Sequence, residues 1–184
     1  MAVYYPYGNC SPTGVLPPYA CSPCTDREYA RIRSIAFYKE SSPFTNIASA
    51  AEWTTKINAG NAIIIYKTSG SYDGGETEEL PGFGDNEFDN GNTTHSLTFR
   101  DAQVFENADF YDSLKNQTEW VAVYRTSSKI WNTGETCNIK VKTIVSDNIK
   151  EVVVNEVMVK WVNPTLPKPY TTPDSIFNTC FIVV

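Results

Sequence analysis

The stretch TCNIKVKTIVS, residues 136–146, alternates: Cys137, Ile139, Val141 and Val145 fall on one side, and Asn138, Lys140 and Lys142 on the other. A period of two marks a strand with one face buried. After the turn SDNIK, the run EVVVNEVMVKWVN at 151–163 keeps the pattern, with Val153, Val157, Val159 and Trp161 in phase. Two such runs joined by a short polar turn predict a long antiparallel hairpin. That hairpin sets the fold class, because it needs a second apolar layer to cover its inner face.

Working outward, EWVAVYRTS at 119–127 reads as a strand with Trp120, Ala122 and Tyr124 on one side and Val121 and Val123 on the other. AIIIYKT at 62–68 is a β-branched run suited to a buried strand. THSLTFRDA at 94–102 alternates through His95, Leu97 and Phe99, and Ile35 and Phe37 give a strand with one face buried. Two stretches have helical spacing instead. Ala50, Trp53 and Ile57 recur on one face, with Gly60 at the C-terminal stop, and Phe110 and Leu114 lie four apart behind a capping Asn107.

The predicted architecture is mainly β: a β-sandwich or partly open antiparallel barrel of about six to eight strands, with one or two short helices and Pro-rich terminal arms. The boundaries read as an extended N-terminal arm at 1–26, a β-rich core at 27–163 and an extended C-terminal arm at 164–184. The first arm holds five prolines and four tyrosines, and the second holds four prolines.

The chain carries 21 acids against 15 Lys and Arg, for a net charge of −6. Gripping a phosphate backbone requires clustered cations, so sequence-independent nucleic-acid binding is not expected. An acidic surface still lets duplex DNA slide past without sticking. The start MAVYYPYGNC has neither the basic nor the apolar region of a signal peptide, and the apolar runs are too short to span a bilayer. No membrane partner is expected.

SYDGGETEELPGFGDNEFDNGN, residues 71–92, reads as a long acidic loop with seven carboxylates and no Lys or Arg. Long loops in compact domains are usually functional. Tyr72, Phe83 and Phe88 would serve as anchors, with Asp73, Glu76, Glu78, Glu79, Asp85, Glu87 and Asp89 as charges for a partner's cations. Arg27, Arg31 and Arg33 offer complementary charge on a second copy, and a head-to-tail contact of this kind closes into a ring when the rotation allows.

Other chemistries were weighed on their residues. The same carboxylates could hold calcium, but their spacing does not match a calcium-loop pattern. Cys21 and Cys24 have zinc spacing, with Cys10 as a third ligand and Cys137, Cys180 or His95 needed to close the site. His95 is the sole histidine, so any Ser–His or Cys–His catalysis runs through it. GFGDNE lacks the third glycine and following helix of a nucleotide fingerprint. The expectation is no enzyme, no cofactor and no catalytic residue.

The order CSPCTDREYARIRSIAF, AEWTTKINAGNAIII, GSYDGGETEELPGFG, THSLTF, WVAVYRTSSKIW and EVMVKWV resembles virion neck or tail ring proteins of crAss-like podoviruses, tailed phages that infect gut Bacteroidales. The resemblance runs from about Cys21 to Trp161. It implies a β-rich structural subunit of a homo-oligomeric ring in the virion, assembled in the host cytoplasm. It also implies DNA in the lumen and neck, tail or portal proteins as neighbours. The alternative from composition is a glycan-binding β-sandwich for host-surface recognition, in which exposed Trp and Tyr stack on sugars.

Overall fold

The computed structural model describes residue 28 and residues 31–82 and 88–177, with the backbone alone for Phe88 and Asp89. In chain order the elements are β1 Ser34–Lys39, α1 Ala50–Asn58, β2 Ala62–Ile65, β3 Ser69–Tyr72, β4 Glu76–Pro81 and β5 Phe88–Asp101. There follow α2 Ala108–Leu114, β6 Trp120–Arg125, β7 Lys129–Thr136, β8 Asn138–Ile144, β9 Val154–Val162, β10 Lys168–Thr171 and α3 Asp174–Phe177. The strands form two antiparallel sheets, so the mainly β, sandwich-like expectation holds, and no barrel closes. The first sheet runs β10-β7-β6-β1-β2; the second runs β3-β5-β9-β8, with β4 added to β5.

The core between the sheets is built by alternation. Ile35 and Phe37 of β1, Ala122 and Tyr124 of β6, Leu97 and Phe99 of β5, and Val157, Val159 and Trp161 of β9 all point into it. β1 is central and buried on both faces, not on one, because its other side chains meet a second apolar layer. There Ala36, Tyr38, Val121 and Val123 pack under Trp53 and Ile57 of α1 and Ile176 and Phe177 of α3. Ser49 caps α1 through a bond from the Glu52 amide, and Gly60 takes φ +69 just beyond its end. Asn107 stands at the N-cap of α2, but its side chain makes no capping bond. Its amide donates instead to buried Asp101, which also accepts from the Tyr111 hydroxyl and the Gln103 amide.

The described residues hold ten strands and three helices, more than expected from the sequence. Two boundaries move as a result. The 71–92 stretch is not a loop, since more than half of it belongs to the end of β3, to β4 and to the start of β5. Part of the 164–184 arm belongs to the domain: β10 pairs with β7, and α3 closes over Trp53, with the Phe177 and Trp53 rings 5.1 Å apart. The buried Arg125 guanidinium holds α3 by donating to the Phe177 carbonyl and pairing with Asp174. Among the described residues no helix is long and apolar enough to cross a membrane. The proposed N-terminal arm lies outside the described residues.

Candidate functional site

β5 is fourteen residues long, and its neighbours do not cover it evenly. β9 pairs with it from Thr94 to Asp101, and β3 from Leu97 to Arg100. From Phe88 to Thr93 its only strand partner among the described residues is β4, although the Thr93 carbonyl also accepts from the Asn163 amide. The result is a two-stranded ribbon that runs past the end of the sandwich. Every residue of β4 is exposed, including Glu76, Glu78 and Glu79. The pairing shifts register between Thr77 and Glu79, and the irregularity presses on Gly91, where a Cβ would stand 3.0 Å from the Glu78 carbonyl oxygen.

The root of the ribbon is rigid. Asp73 turns the chain: its Oδ1 accepts from the amides of Gly75 and Ser96. Gly75, at φ +85, then passes over the imidazole of His95. His95 is fully buried and both ring nitrogens are engaged. The Nε2 partner is the Asn163 carbonyl, 2.8 Å away, which can accept but not donate. Nε2 therefore carries the proton, and Nδ1 accepts from the Tyr72 hydroxyl at 2.7 Å. Tyr72, His95 and Trp161 stack, with the His95 and Trp161 centroids 5.1 Å apart. Burial, and then the charge of Asp73, push the Tyr72 phenol up to about 12.

This geometry redistributes the residues expected from the sequence. Tyr72 is not an outward anchor; its ring packs half-buried against the core. Asp73 is a turn residue. Glu76, Glu78 and Glu79 face solvent, as do Arg31 and Arg33 at the start of β1. Phe83, Asp85, Glu87, Arg27, Cys10, Cys21 and Cys24 lie outside the described residues, as do the side chains of Phe88 and Asp89. His95, a lone histidine by sequence, is a structural pin whose nitrogens no substrate could reach. Cys137 is a buried thiol, and burial raises it to about 11, so it is no nucleophile at neutral pH. Among the described residues no three His, Cys, Asp or Glu side chains gather as a metal site would require. Trp53, Trp120 and Trp161 are buried, and half-buried Trp131 stacks on Tyr124.

Sequence reasoning did not reveal the second sheet's outer face. Its cross-strand rows are Ser96–Lys160–Asn138, Thr98–Met158–Lys140 and Arg100–Glu156–Lys142. The alternation of Lys140 and Lys142 was visible in the sequence; their alignment with Arg100 and Lys160 depends on register. No protein-family model matches the chain, and no curated protein or solved structure does either.

Proposed function

We infer that the protein is a structural subunit and not an enzyme, working as a homo-oligomeric ring in the neck or tail of a phage virion with DNA passing through the lumen. One observation carries this reading: an acidic two-stranded ribbon extends past the sandwich with every β4 side chain in solvent. An isolated pair of strands is marginal in water. A ribbon whose β4 strand is exposed throughout, yet which is locked at its root by Gly75, His95 and Tyr72, is built to be held out toward a neighbour. The sequence resemblance supports the same reading and supplies its setting: copies of the chain, and neck, tail or portal proteins, as partners. Neither a membrane nor a specific nucleic-acid sequence has a part in it.

Native mass spectrometry of the full chain over a range of concentrations tests the inference. A cyclic oligomer that grows with concentration is the expected result. A strict monomer at every concentration, unchanged by purified neck or portal proteins, would overturn it.

A further inference from the structure

The open face of the second sheet concentrates positive charge in an acidic protein. Arg100, Lys140, Lys142 and Lys160 lie on it in three adjacent rows. One more cation lies beside them. Ile32 bridges Gly70 of β3 and is buried between the sheets, and the exposed Arg31 precedes it on the outward side. Five of the chain's fifteen Lys and Arg thus lie on or beside one face. The acids on it are Glu156, already paired with Arg100 and Lys142, Asp73 at its margin, and Glu76, whose pair Thr94 stands one row from Ser96 and Lys160. Helices α1 and α3 cover the first sheet, and among the described residues no helix covers this one.

We propose that this face receives the acidic ribbon of a second copy, with Glu76, Glu78 and Glu79 set against Arg31, Arg100, Lys140 and Lys160. The identity of the partner rests on the self-assembly inferred above. Charge selects the occupant. Residues 76–89 hold six acids, and the chain has no Lys or Arg between Lys67 and Arg100. The segments outside the described residues at either end supply a single acid, Asp26, and so cannot neutralise the face. Dimensions agree as well. The cation rows from Ser96 to Arg100 span about 13 Å, and a six-residue strand such as β4 spans about 20 Å. Contact through the face also fits the lysines of edge strand β8, which discourage strand addition at that edge.

Charge reversal tests the contact by sedimentation velocity at low and high salt. One variant carries Glu76→Lys, Glu78→Lys and Glu79→Lys; the other carries Lys140→Glu and Lys160→Glu, two exposed lysines with no ion pair among the described residues. Each alone is expected to weaken self-association on the order of tenfold or more. An equimolar mixture is expected to restore it, because each variant then supplies the charge the other lacks. Thermal melting confirms that both variants stay folded. Wild-type oligomers unaffected by either variant would overturn the docking and leave the ring intact. A charge-dependent pair that never exceeds two copies would keep the docking and overturn the ring. Loss of duplex DNA binding in the lysine variant, with oligomers unchanged, would assign the face to phosphate and overturn the proposal.

Discussion

Gly75 lies against the ring of His95 with no space for a side chain: a Cβ there would stand 2.6 Å from Cε1, and closer still to Nδ1. The φ of +85 adds a backbone reason for glycine. Gly75→Ala is therefore expected to destabilise by about 2–4 kcal/mol, combining steric and conformational costs. Neighbouring Gly74 has φ +91 but nothing within 4 Å of its would-be Cβ. Gly74→Ala is expected to cost about 1–2 kcal/mol. Urea unfolding of the two variants side by side checks the difference, and equal losses would show that His95 yields freely.

Tyr72→Phe removes one hydroxyl and leaves a buried imidazole nitrogen without its donor. The expected loss is about 1–3 kcal/mol, above that of an ordinary surface substitution. Chemical denaturation measures it. A neutral result would mean that water replaces the phenol.

Glu28 reaches across to the β6–β7 turn and accepts from the Thr126 and Ser128 hydroxyls and from the Ser128 and Lys129 amides. Burial alone would raise its pKa, but these bonds outweigh it and hold the carboxyl at about 2. Because the folded value lies below the unfolded one, the stabilisation is complete above about pH 5 and fades as pH falls toward 2. The melting-temperature gap between wild type and Glu28→Gln should shrink across that window. A gap constant with pH would assign the effect to packing.

Buried Cys137 should resist alkylation in the native state at pH 8 and react once the chain is unfolded, as peptide mass mapping would report. Labelling of Cys137 at the rate of an unfolded control would show local opening of β8.

The sequence revealed strands whose two faces differ in environment. The β8–β9 hairpin alternates because one side meets the core, and it fell where expected; β6, buried on both faces, was legible as a continuous apolar run. β4 gave no such signal, since both of its faces are wet and strict alternation has nothing to record. β10 was hidden by its prolines, which read as breakers; Pro169 is tolerated because β10 is an edge strand. The acids of the candidate site were plain in the sequence. Of the complementary cations only Arg31 was read from the sequence; Arg100, Lys140 and Lys160 were not, because they are far apart in the chain and meet only through strand register.

Phe177→Ala should cost about 3–5 kcal/mol, since the ring is fully buried against Trp53. Ending the chain after Asn163 should abolish cooperative melting altogether, as calorimetry would show. A sharp transition in that truncated chain would mean that β10 and α3 are dispensable.

The closing position of β10 and α3 also governs how the protein is made. Both elements come late in the chain, yet they complete a sheet and a helix layer begun near residue 34. A ribosome must translate through Phe177 before Trp53 has its cover, so the nascent chain spends most of its synthesis with an apolar sheet face exposed. Termination before Phe177 would leave a product that chaperones and proteases recognise as unfinished.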